Sequence, residues 1–219
     1  MTVELRGAML IGLVFGVSVV AFLTFLQVNE KATATGPWYF GSETARWTVT
    51  EYADLECPYC RAYTPELKRW VGQNEDVKLA WHHFPLDGHG AAAVLEARLV
   101  QCAGYLGGAT AYWRAIDQVL QHTRGNGVGV DKDRANLALD IEPDVFACAA
   151  NNQDIAEEVD RQLAVAKSRG IAATPTLEVT DSLTGRSVRL EGPVDSTALL
   201  SVIDALAAQP LQDKEQLEQ

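Results

Sequence analysis

The sequence predicts an α/β domain with a helical insertion in its middle and an apolar N-terminal segment in front. Three observations carry that reading. A strand–helix–strand unit opens the domain, with "CPYC" between the first strand and its helix. A long stretch of helical periodicity follows. A β-hairpin and one more helix then close the pattern.

From Ala8 to Val28 no residue carries a charge. As a helix this run spans roughly 30 Å, the thickness of a bilayer core. The apolar region of a secretory signal is shorter, about 7–15 residues. Residues 1–30 therefore read as an uncleaved membrane anchor. Ala32-Thr33-Ala34 supplies an A-x-A cleavage pattern, so a cleaved signal and a soluble periplasmic domain stand as the alternative. Arg6 and the terminal amine bias the N-terminus toward the cytoplasm. The rest of the chain then lies outside, where disulfides persist. Residues 31–36, KATATG, form a small polar linker.

Arg46 to Tyr52 is rich in β-branched and aromatic residues and reads as a strand. Pro58 suits the first turn of a helix. Tyr63, Leu67, Trp70 and Val71 continue it at helical spacing, with Pro65 as a kink. Val77 to Phe84 is a second strand. Two helices follow, Ala91 to Ala103 and Ala111 to Gln121; the first carries Leu95, Leu99 and Cys102 on one face. Gly125 to Gly129 reads as a plain connector, since no strand precedes it and no GK[ST] follows. Asp133 to Leu139 and Pro143 to Asn151 are short helices. Asp154 to Arg169 is longer and ends at Gly170, a C-terminal cap. Thr176 to Thr180 and Ser187 to Leu190 form the hairpin, and Ser196 to Ala208 is the last helix. The domain thus covers residues 37–208, with its insertion at about 88–152 and a polar tail at 209–219. The net charge of −11 and the lack of a basic stripe exclude nucleic acid as a partner.

Cys57 and Cys60 admit three readings: redox pair, half of a metal site, or structural staple. Structural zinc needs four ligands, and no second CxxC or H-x3–5-H is present. A staple across two residues closes too small a loop to stabilise much. A cysteine at a helix N-terminus meets the positive end of the dipole and unpaired N–H groups, and both favour a thiolate. Cys57 stands there, and Cys60 lies one turn further in. Cys57 then exchanges with a client, and Cys60 resolves the mixed disulfide. Glu51 lies six residues before Cys57, on a strand face with Ala53. His83, His89 and His122 read as surface or packing residues.

"TVTEYADLECPYCRAY", "HHFPLDGHGAAAVLEARLVQCAG" and "SRGIAATPTLEV" together resemble the DsbA-like branch of the thioredoxin superfamily. The resemblance implies a thioredoxin-like fold with an inserted helical domain. It makes Cys57 the nucleophile and Cys60 the resolving thiol, with Pro58 and Tyr59 between them. It makes Pro175 the cis-proline facing them, with Thr174 before it, and Glu51 the buried acid under the site, able to relay a proton to or from Cys60; a solvated strand-end glutamate is the alternative. The branch often carries a second disulfide between two helices of its insertion, which implies Cys102–Cys148; two buried free thiols are the alternative. No cofactor is implied. The implied function is introduction of disulfides into cysteine-containing secreted or periplasmic clients, with reoxidation by a membrane quinone-linked partner. Alternatives are a reductase or isomerase of the same fold, or a non-catalytic assembly module. Strong oxidases of the branch often carry histidine where this chain has Tyr59. Glu56, read as an exposed carboxylate, adds a negative charge beside Cys57. Both features imply a milder oxidant.

Overall fold

A computed structural model describes residues 36–130 and 141–208. The expected anchor, the linker up to residue 35, the C-terminal tail, and the helix expected at Asp133 to Leu139 lie outside the described residues. Among the described residues no helix is long and apolar enough to cross a membrane.

Five strands form one mixed sheet: β1 (Tyr39–Gly41), β2 (Trp47–Ala53), β3 (Val77–His83), β4 (Thr176–Asp181) and β5 (Ser187–Glu191). Their spatial order is β1-β3-β2-β4-β5. β2 and β3 run parallel, with Glu51 opposite Trp81, and every other pairing is antiparallel. The parallel pair needs a crossover, and helix α1 (Pro58–Val71) supplies it. β2 is central. It is covered on both faces, so burial is continuous from Glu51 to Ala53 rather than alternating.

Between β3 and β4 the chain inserts a short 3-10 turn (Asp87–His89) and helices α2 (Gly90–His122), α3 (Pro143–Asn151) and α4 (Gln153–Ser168). Helix α5 (Ser196–Ala207) closes the fold. The two helices expected from periodicity are both present and meet end to end in α2, without a loop between them. α2 bends at Gly108, whose φ of 70° and ψ of −164° are non-helical and open to glycine without a Cβ clash. Leu95 is 45% exposed, although Leu99 and Cys102 on the expected face are buried.

The core fills the space between the sheet and α1 on one side and α2 on the other. Val49, Leu67, Leu79, Val100, Ile116, Val119 and Leu177 are among its fully buried residues. Lys68 joins α1 to α2 through Asp117 at 2.5 Å and lies over the Phe40 and Trp113 rings. Cys102 of α2 and Cys148 of α3 are joined by a disulfide, 46 residues apart in sequence. In the chain-entropy account such a link removes up to about 4 kcal/mol of freedom from the unfolded chain. A Cys102→Ala, Cys148→Ala double variant should lose about 2–4 kcal/mol of unfolding free energy in denaturant titrations. Unchanged stability would contradict this role.

Candidate active site

β2 ends at Ala53 and delivers Asp54, Leu55 and Glu56 to the start of α1. Cys57 is the residue that caps α1, with φ −77° and ψ 122°, and Pro58 occupies the first helical turn. Pro58 has no N–H to leave unpaired, and its φ is preset for the helix. No acidic side chain stands in the first turn, so the positive end of the dipole is left to Cys57. Cys57 N–H donates to Asp54 O at 3.1 Å, and Cys57 O accepts from Arg61 N–H at 3.0 Å. Tyr59 points outward and is 67% exposed.

Cys57 and Cys60 are free thiols, and both are buried. They behave differently. The Cys57 thiol is held down to about 5, first by the hydrogen bond from Cys60, then by the Thr174 side chain and by the Cys60 and Tyr59 backbone N–H groups; burial opposes these. The Cys60 thiol is pushed far up, first by burial, then by donating to Cys57 and by the negative charge of Glu51. One thiol is therefore a thiolate at neutral pH and the other keeps its proton.

Thr174 and Pro175 come from the far end of the chain, just before β4. Their peptide bond is cis. Cys57 Sγ lies 3.5 Å from Thr174 O. Thr174 Oγ1 is buried, and the Cys57 sulfur is the group its hydroxyl serves.

Glu51 is fully buried on β2. Its Oε1 accepts from the Thr64 hydroxyl of α1 at 2.8 Å, and its Oε2 has no partner among the described residues. Burial raises its carboxyl to about 8; the Thr64 bond opposes the shift and Cys57 adds to it. A group poised there can hold or give up a proton near neutral pH while acting on Cys60 through its charge.

The structure brings Cys57, Cys60, Glu51, Thr174 and Pro175 together. Cys102 and Cys148 form the separate disulfide in the insertion. Glu56 corrects the exposed reading. It is fully buried, because Gly129 N–H and the Thr123 hydroxyl reach its carboxylate from a loop some seventy residues away. The Gly125–Gly129 connector is thus packed against the residue preceding Cys57. His89, read as surface or packing, pairs with buried Asp54 at 2.7 Å. Asp54 also accepts from Glu56 N–H and Leu86 N–H. The D-x-E spacing before the cysteine was the only trace of this in the sequence. His83 lies in the core, between Trp81 Nε1 and the Tyr112 hydroxyl.

An acidic thiol at a helix start, a buried protonated thiol one turn on, and a cis-proline opposite define a thiol–disulfide exchange site on a thioredoxin-like sheet. The comparisons agree. A family model described as Thioredoxin matches residues 33–205. DsbA2 of Pseudomonas aeruginosa shares 48% identity over 80% of this chain and 97% of its own, with a TM-score of 0.71. The thiol–disulfide exchange protein alpha-DsbA2 of Wolbachia pipientis superposes with a TM-score of 0.62 at 20% identity, over 77% of this chain and 86% of its own, a likeness of fold. The chain belongs to the DsbA-like branch of the thioredoxin superfamily and is a protein thiol–disulfide oxidoreductase.

Among curated proteins, the Na(+)/H(+) antiporter NhaA of Herminiimonas arsenicoxydans is 33% identical over 75% of this chain. This chain spans about a quarter of that antiporter's length, 25%.

Because the folded carboxyl of Glu51 is raised above its ordinary value, its burial favours folding fully below about pH 4.5 and loses that contribution as pH rises toward about 8. Glu51→Gln should flatten the fall in stability across that window, measured by urea unfolding of the reduced protein. An unchanged pH slope would place the Glu51 charge elsewhere.

Proposed function

We propose that the protein is a membrane-tethered, extracytoplasmic oxidase that passes its Cys57–Cys60 disulfide to cysteine-containing secreted or periplasmic clients. The observation that carries this reading is the acidity of Cys57, about 5 against an ordinary thiol near 9. Whatever stabilises the thiolate stabilises the reduced pair. A disulfide whose reduced form is stabilised gives itself up readily.

The reaction runs in two exchanges. A client thiolate attacks Cys57 Sγ of the Cys57–Cys60 disulfide, and Cys60 leaves as a thiolate. Cys60 is buried and takes up a proton, for which Glu51 is the adjacent source. A second client thiolate then attacks the client sulfur of the mixed disulfide. Cys57 leaves as the stabilised thiolate, and the client departs with a disulfide. Thr174 and Pro175 lie beside Cys57, so an extended client segment can pair with their backbone by strand addition, with little demand on its sequence. Two electrons have entered the pair, and a membrane quinone-linked partner is the proposed acceptor. The apolar run from Ala8 to Val28 supports the tether.

A reductase or isomerase role is the second reading. Exposed Tyr59 favours it, because a tyrosine brings no positive charge to the thiolate. The oxidised protein should restore activity to reduced, unfolded ribonuclease, and Cys57→Ser should abolish this. Equilibration with glutathione should leave the pair mostly reduced. A pair that stays mostly oxidised there would favour the reductase reading. Tyr59→His should make the pair more oxidising by adding a cation near Cys57 Sγ. An unchanged or lower potential would mean that this position does not act on the sulfur.

A further inference from the structure

Glu56 is held at every polar atom. Its N–H donates to Asp54 Oδ1 at 2.8 Å, and its carbonyl oxygen accepts from Asn126 N–H at 2.8 Å. Its carboxylate accepts from the Thr123 hydroxyl and, at 2.8 Å, from Gly129 N–H. Three of these four bonds come from one loop, residues 123–130, which leaves the end of α2. Gly127 lets that loop pass over the 3-10 turn: at φ +82° a Cβ there would stand 2.9 Å from His89 O.

Glu96 of α2 completes the arrangement. It is 5% exposed, and its Oε1 accepts from Val130 N–H at 3.0 Å. Its Oε2 is buried with no donor beside it among the described residues. The two carboxyls take successive backbone N–H groups, Glu56 that of Gly129 and Glu96 that of Val130, and a Cβ on Gly129 would stand 3.7 Å from Glu96 Oε1, so they sit side by side under one turn of the loop. Two buried carboxylates in contact repel unless one carries a proton, and one proton between them turns the repulsion into a strong hydrogen bond. Glu56 already has donors on both oxygens, so the proton belongs on Glu96. The other charged groups around the pair are Asp54, its partner His89, and Arg61 and Arg124. Arg61 donates to Thr123 O at 3.0 Å and Arg124 to Gly129 O, so both cations face loop carbonyls rather than the carboxyls.

We propose that Glu56 and Glu96 form a proton-sharing carboxyl pair that locks the 123–130 loop of the insertion onto the residue preceding Cys57, making both of them positioning residues for the Cys57 sulfur. The inference rests on Cys57 as the attacking thiol. Burial and the neighbouring Glu56 hold the Glu96 carboxyl up at about 9, so the lock is closed across the neutral range and opens above it. Opening frees the loop together with Val128, which is 54% exposed on it.

The test uses the full chain in two variants. Glu96→Gln keeps a permanent N–H donor toward Glu56 and stays folded without the shared proton. Glu96→Ala removes the donor. Amide-exchange protection at Gly129 and Val130 and the alkylation rate of Cys57 are followed from neutral pH to above pH 9. In that range Cys57 is already a thiolate, and the Glu51 transition is common to all three proteins. Wild type should lose about tenfold or more in protection as pH rises, the size of one charge-assisted hydrogen bond, with a parallel change in Cys57 alkylation. Glu96→Gln should abolish both changes, and Glu96→Ala should show the unlocked values at every pH. A Gln variant with the wild-type pH profile would overturn the shared proton. Protection that responds while Cys57 alkylation does not would overturn the positioning role, and leaves the ribonuclease assay as the separate judge of Cys57.

Discussion

The hydrogen bond from the Cys60 thiol to the Cys57 sulfur sets the chemistry of everything around it. It is the largest influence holding Cys57 acidic, and it works only while Cys60 keeps its proton. Cys60 keeps its proton because it is buried within the first turn of α1 and feels the charge of Glu51. The fold therefore has to do two opposite things one helical turn apart. It exposes the N-terminal end of a helix to one sulfur and denies water to the next.

The sheet supplies both conditions. β2 is central, so its C-terminal end can carry Glu51 inward and Cys57 to the rim within six residues. α1 lies across it and brings Thr64 to Glu51, while its axis points a free helix end at Cys57. The far strand β4 returns antiparallel beside β2, and the loop before it sets Thr174 against the sulfur. The insertion closes the remaining side through the loop that holds Glu56. Residues from three distant parts of the chain meet at the site: the β2–α1 segment, the 123–130 loop and the loop before β4.

Much of this was legible in the sequence because it is local. Pro58 after Cys57 marks a helix start, β-branched Thr48, Val49 and Thr50 mark the strand, and Gly170 marks a helix end. The two sulfurs, the residues around Pro175 and the order of elements follow from such signals and from the resemblance they support. What stayed hidden was non-local. β1 is three residues long, too short for any periodicity, and exists because it pairs with β3. The burial of Glu56 was missed because a charged residue beside a reactive site reads as exposed. Its partners Thr123, Gly129 and Glu96 are brought to it only by the insertion.

Titrating the thiolate absorbance of the reduced protein, in wild type and Cys60→Ser, tests the central claim most directly. The account predicts a thiolate that titrates near 5 in wild type and shifts clearly upward when the Cys60 thiol is exchanged for the poorer match of a serine hydroxyl. A single transition at the ordinary thiol value in both proteins would contradict it.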